Sequence, residues 1–542
     1  MMTGTKVVTA VAVACVLAML VTAIVAEVMV SQVSQRPFLD LVDDCSATPN
    51  DGLDDSAQIQ ACVDQVSAAG AGTVYIPPGV FDVAYETHAA CQGSANCSVN
   101  LVGLDNLSIR GAGPASVIRK LGAGGGPTAD WYTFRLGDNT DVEFSDFMVD
   151  GNRYGIAEVG EQTHEFHMAV SSEGNVRRAR FHRLTIARSR GDGIRSVGSH
   201  LNVASEVSIS DVHFDDNKRG GIGVQRGSVA WVVSSCVFTG GTDQQIDFEP
   251  TSDGEVAQFS ITGNVFRGAL DRVAVTLGGG PDHHGRSTFS GNTVEGGLHL
   301  FNNFDLAIHG NVIAAKMSSG DAVVSVRKHQ NGIVISGNVI KRLAGSSPGP
   351  VVKLSHHGTG FPVSTVVSDN IIEQYVVGGA LEVQTSRRLA VSGNSVALHG
   401  PASGTGISMR TFGQDSHTVS IHSNVVWGPW AVGVSLSTNA SHLASSTVAG
   451  NTIHGSATGI LLSKGAGDFV DPPEVVGNSL ATTGLPVSAG QQTFNMGGNA
   501  RDVATLSGWG APAGACIRGS RWWDRQGSQW WSCGAQGWSA EN

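Results

Sequence analysis

The stretch Gln245-Ile246-Asp247-Phe248-Glu249-Pro250 is the part of this chain best equipped for chemistry. Polar and apolar residues alternate in it, the period of a strand with one buried face, so Gln245, Asp247 and Glu249 are expected to point outward together. Two carboxylates two residues apart on a strand stand about 6.5–7 Å apart. That falls within the roughly 6.5–9.5 Å left for a water between acid and base in inverting glycosidases. Such a pair works when its surroundings differ, one carboxyl held protonated and the other ionised. Glu249, followed by Pro250, is expected to be the acid and Asp247 the base.

What must position this pair is a repeat. Inward-facing strand positions recur at Met168, Ile194, Ile222, Ile246, Val273, Leu298, Val324, Val352, Leu381, Ile407, Val434 and Ile460, in steps of 24 (Ile222 to Ile246) to 29 (Val352 to Leu381) residues. A fixed period in this range means stacked units that cannot bury their apolar faces alone. The runs between are short and rich in Val, Ile, Phe and Thr, so each unit is a turn of strands, a parallel β-helix.

The outward column through Asp247 then reads Arg195, Gly223, Asp247, Ala274, His299, Ser325, Lys353, and a second reads Gln225, Glu249, Thr276, Phe301, Arg327. Small Gly223 and Ala274 are expected to leave space beside Asp247. Arg195, Gln225, Gln245, His299, Arg327 and Lys353 are the expected substrate-binding residues, with cations suited to a sugar carboxylate. No cofactor is required by this arrangement, although Asp192, Asp247 and Glu249 on stacked turns could share a calcium ion. Asp192, in Arg190-Gly191-Asp192-Gly193, reads as a turn residue. The stretch Pro281-Asp282-His283-His284 reads as a polar loop, and the pair His356-His357 lacks Cys or acidic partners at a metal-site spacing.

A second periodic signal is Gly-Asn or a close variant after an apolar strand, at Asn264, Asn292, Asn311, Asn338, Asn370, Asn394, Asn424, Asn451 and Asn478. Strands of successive turns stack about 4.8 Å apart, so these residues are expected to form one column of amides at a bend, in a left-handed conformation that Asn tolerates.

The chain has 542 residues, 71 of them Gly, and a formal charge of -12, which argues against nucleic acid or an anionic membrane surface as partner. Val7 to Ala26 is an uncharged apolar run after Lys6, a secretion signal or a membrane anchor, and the only expected membrane contact. Export agrees with the cysteines: apart from Cys15 and Cys236, they form close pairs Cys45/Cys62, Cys91/Cys97 and Cys516/Cys533, all outside the repeat, where disulfides would staple the ends.

Asn50-Asp51-Gly52 leads into a helix at Ala57 to Ala69, cappable by Asp55 or Ser56, then the strand Thr73-Val74-Tyr75-Ile76 and the turn Pro77-Pro78-Gly79. This series resembles the opening segment of the pectate-lyase-like right-handed β-helix superfamily, over about residues 40–500. The resemblance implies a helix capping the first coil. It also implies a fold used by polygalacturonases, pectate and alginate lyases, uronan epimerases and tailspike depolymerases. The four motifs of polygalacturonases are absent. The expected layout is a signal or anchor at 1–26, a linker at 27–39, an N-terminal cap at 40–100, an all-β parallel β-helix at 101–500 and a Trp-rich disulfide hairpin at 501–542. That hairpin holds Trp509, Trp522, Trp523, Trp530, Trp531 and Trp538, as sugar platforms or as a lid on the last coil. The expected function is an exported glycoside hydrolase or lyase acting on a polysaccharide; the alternative is a non-catalytic carbohydrate-binding or surface protein.

Overall fold

The computed structural model describes residues 37–489 apart from 85–96, 122–130, 156–164, 171–173, 197–202, 226, 242, 250–255, 279–285, 302–304, 328–331, 356–363, 385–386, 412–415, 439–441 and 466–468. Beyond 489 it describes the backbone of five strands between 495 and 541. The apolar run 7–26, Cys91, Cys516 and the His pairs at 283–284 and 356–357 lie outside the described residues.

Each coil is built from three short strands. In one coil, Ser260–Thr262 belongs to the first sheet, Val265–Phe266 to the second and Val273–Gly278 to the third. All three pair in parallel with their counterparts in the next coil. Among the described residues the first sheet collects 17 strands and the second 15. The chain is an all-β, right-handed parallel solenoid, the winding that right-twisted parallel strands favour. In the N-terminal coils a fourth sheet of five two-residue strands, from Asn139–Thr140 to Val256–Ala257, widens the corner between the third and first sheets.

The core is one continuous apolar column, because inward residues of one coil meet the same position of the next. Phe214, Phe238 and Phe266, in register, stack with ring centroids 4.7 Å apart at both steps, the spacing of the strands themselves.

The helix α1 (Ser56–Ala68) buries Ile59, Cys62, Val63 and Val66. Its Gln60 amide works like a strand edge: Nε2 donates to the Asn100 carbonyl at 3.0 Å and Oε1 accepts the Asn100 N–H at 2.8 Å. Asp55 stands at the N-cap, yet its carboxylate makes no cap bond and accepts the Thr48 N–H instead. A Cys45–Cys62 disulfide joins the preceding turn to α1, with Cα atoms 5.6 Å apart. Cys97 is also disulfide-bonded. At the other end, Arg521–Asp524 and Gln529–Gly534 pair antiparallel, with Trp522 opposite Trp531 and Trp523 opposite Trp530.

The Gly-Asn bend joins the first sheet to the second, and its amides form one ladder. From Asn264 to Asn478, each Nδ2 donates to the Oδ1 of the next Asn at 2.9–3.0 Å. The same Oδ1 also accepts the backbone N–H of the preceding Asn. The left-handed residue is not the Asn but the one before it, for example Gly263 (φ 66°), Asp369 (φ 57°) and Ser423 (φ 55°). This corrects the expectation: the ladder Asn residues keep a negative φ, and the residue before each makes the reversal.

Candidate functional site

The third sheet carries the candidate chemistry on its outward face, and its register differs from the expected one at a single place. A bulge between Val273 and Val275 sets Ile246 opposite Val275 and Asp247 opposite Thr276; Thr276 in turn faces His299. Ala274 is fully buried and does not neighbour Asp247. The lane through Asp247 is therefore Arg195, Gly223, Asp247, Thr276, His299, Ser325, Lys353. By the same shift Glu249 follows on to Gly278, not Thr276, and Gly278 is in register with Phe301 and then Arg327. The bulge puts Thr276 and Gly278 between the two acids and His299, Phe301 and Arg327, so that Asp247 and His299 stand two strand spacings apart, about 9–10 Å, and the face between them is called the notch below.

The acidic wall has a third member. Asp192 begins the strand Asp192–Ser196 and is buried, not a free turn residue. Its carboxylate lies across Gly223: a Cβ added there would stand 2.5 Å from Asp192 Oδ2, so the space expected beside Asp247 is filled by a second carboxyl. Burial lifts the Asp192 pKa to about 6, moderated by Arg219, whose Nε is 3.9 Å from Oδ1, and by Arg195. Burial also lifts Asp247 to about 7, helped by the charges of Glu249 and Asp192. Asp247 Oδ1 is buried with no hydrogen-bond partner. Burial thus favours the protonated form of Asp247, the residue expected as the base, while Glu249, expected as the acid, is exposed.

Across the notch, His299 is partly buried, and burial together with the Arg327 charge pushes its pKa down. One ring nitrogen bonds the Ala322 backbone, and Nε2 is buried without a partner. A neutral imidazole that donates from Nδ1 presents Nε2 as a bare lone pair. Arg327 is held over this wall by Asp321 (Nη2 to Oδ1, 3.0 Å) and by the Ser325 hydroxyl (3.1 Å). Asp321 is placed in turn by the buried Arg342, whose guanidinium donates to the carbonyls of Ser319, Ser347, Pro350 and Asp321.

Three expected binding residues are otherwise employed. Gln245 is buried, not outward; its Nε2 donates to the carbonyls of Gly240 and Arg267, closing the corner before the strand. Arg195 Nη2 donates to Gln225 Oε1 at 2.8 Å, so these two brace each other beyond Asp192. Lys353 lies further along the lane, between Ser325 and Glu382.

Among the described residues no three His, Cys, Asp or Glu converge closely enough to hold a metal ion.

Residues 282–495 match the sequence model of the family described as periplasmic copper-binding protein (NosD). Mannuronan C5-epimerase AlgE6 of Azotobacter vinelandii is 37% identical over 106 residues, which are 19% of this chain and 11% of that protein's length. Among solved structures, the A-module of the same epimerase is similar over 84% of this chain and 97% of its own, at 15% identity and a TM-score of 0.28. A tailspike protein mutant of E. coli bacteriophage HK620 in complex with a pentasaccharide is similar over 80% and 78%, at 12% identity and a TM-score of 0.43.

Proposed function

We propose that the protein acts on a polysaccharide and cleaves it by acid–base elimination in the notch between Asp247 and His299. The observation that carries this reading is a complementary pair on opposite walls: a carboxyl that keeps its proton to about pH 7 and a neutral imidazole with a free Nε2. General acid–base catalysis asks for groups poised in this way near the working pH. In the step, His299 Nε2 takes the proton from the carbon that bears the sugar's carboxylate. The electron pair left behind forms a carbon–carbon double bond, the bond to the glycosidic oxygen breaks, and Asp247 delivers its proton to that oxygen. Arg327, beside His299, offsets the negative charge that builds on the sugar carboxylate. Phe301 offers one flat apolar face for the ring next to the scissile bond.

Hydrolysis is the second reading, favoured by Asp192. Arg219 and Arg195 favour its carboxylate form, and it could direct a water at the bond that Asp247 protonates. The Cys45–Cys62 disulfide fits work outside the cytosol. The protein should be screened against charged and uncharged polysaccharides, reading new reducing ends and the ultraviolet absorbance of unsaturated products in parallel. Elimination gives both signals, hydrolysis only reducing ends, and neither signal on any polymer would overturn the proposal.

A further inference from the structure

The outward face of the second sheet bears a group of side chains that the notch does not use. Lys341, Glu373, Ala397, Trp427 and His454 stand in register on five successive coils. Beside them the rings of Tyr375 and His399 stack at 4.6 Å, nearly parallel at 21°, and His399 meets Trp427 at 4.8 Å and 85°. The indole is therefore turned across the stack, and Trp427 is 39% exposed. On its other flank Val312, Ile371 and Val425 are each 44–45% exposed, an apolar edge along the same strands.

We propose that this strip is a glycan-binding surface that holds an uncharged stretch of polysaccharide away from the notch. It rests on the proposed function only for the class of ligand. The rings and the valine edge offer a flat apolar bed for pyranose faces. Glu373 and Lys341, paired at 2.8 Å, with the Tyr375 hydroxyl donating to Glu373 at 3.3 Å, supply donors and acceptors for sugar hydroxyls. Because that cation and anion cancel, the strip suits a neutral chain, unlike the notch, where Arg327 awaits a carboxylate. Coils rise by about 4.8 Å, close to the roughly 5 Å length of a pyranose unit, so a chain laid along the axis meets the strip in step.

Affinity electrophoresis of the full chain through gels containing xylan, galactomannan or hydroxyethylcellulose, with alginate as the anionic comparison, tests this. At least one uncharged polymer should retard the protein. Trp427→Ala and Tyr375→Ala should each weaken that retardation at least tenfold, and Trp427→Phe should restore most of it. Asp247→Asn should leave it unchanged. The proposal is overturned if no uncharged polymer retards the parent, or if Trp427→Ala, with unaltered circular dichroism and melting, is retarded equally. Sedimentation of the parent as a dimer that Trp427→Ala splits would also overturn it, giving the face to a second copy. Should Asp247→Asn retain cleavage while Trp427→Ala loses binding, the notch reading fails and this one stands.

Discussion

The same bend is stitched in two ways along the solenoid. From Asn264 onward it is a buried amide ladder, in which every side-chain amide donates at least two hydrogen bonds and every Oδ1 after the first accepts two. In the N-terminal coils the corresponding inward residues are Phe147, Leu184, Val212 and Cys236, all buried and mostly apolar. Cohesion between those coils moves outward, to Arg–Asp pairs across neighbouring turns: Arg178 with Asp141 at 2.7 Å, Arg183 with Asp146 at 2.6 Å and Arg119 with Asp82 at 2.7 Å. A buried ladder gains most from neutral groups that satisfy one another completely, whereas charged pairs survive only where water still reaches them. Asp192 and Asp247 lie on the coils where one scheme gives way to the other. The bend thiol of Cys236 is the hinge between schemes: Sγ accepts the Val212 N–H and shares its one proton between the carbonyls of Ser234 at 3.3 Å and Ile209 at 3.7 Å, a weak copy of the amide that follows it.

The largest expected effect falls on the ladder. Asn370→Ala removes the acceptor for the Asn338 amide and backbone N–H and the donor to the Ile335 carbonyl, all buried. Unpaired buried groups cost about 1–3 kcal/mol each, so a loss of about 3 kcal/mol or more is expected in urea unfolding. The ion pairs should matter less. Arg183→Met is expected to cost under about 1 kcal/mol, since its guanidinium is 53% exposed, and the loss should shrink in high salt.

Acid should expose the same contrast. Hydrogen bonds from Arg178 and Arg183 hold the Asp141 and Asp146 pKa values below the usual range. A depressed carboxyl contributes stability that is complete above its unfolded pKa, about 4, and fades as pH falls through the folded value. The N-terminal coils should therefore loosen first below about pH 4, seen as earlier amide exchange than in the ladder coils. One small effect is a gain. Cys236→Asn would extend the ladder by one rung and should raise stability by about 1 kcal/mol, measured by thermal unfolding.

The solenoid was legible because Gly-Asn and the apolar strand recur with nothing to disguise them. The notch was less so, for local reasons. One residue inserted between Val273 and Val275 moves Ala274 inward and Thr276 beside Asp247, and no residue type marks that bulge. Asp192 reads as a turn because Gly flanks it on both sides. Its carboxyl reaches the site only because Gly223, a coil away, has no side chain, a coincidence across 31 residues that periodicity does not encode. Gln245 alternates correctly with Asp247, yet it ends a corner, where unpaired carbonyls draw its amide inward.

The account turns on Asp247 as the proton donor, and turnover of Asp247→Asn on a polysaccharide that the parent cleaves tests it most directly. Removing a general acid should lower the rate at least about a hundredfold. Melting should be unchanged, because the residue faces away from the core. The parent's rate should fall above about pH 7, as Asp247 loses its proton, and again on the acid side as His299 gains one. An Asp247→Asn protein that keeps the parent's rate would contradict the account.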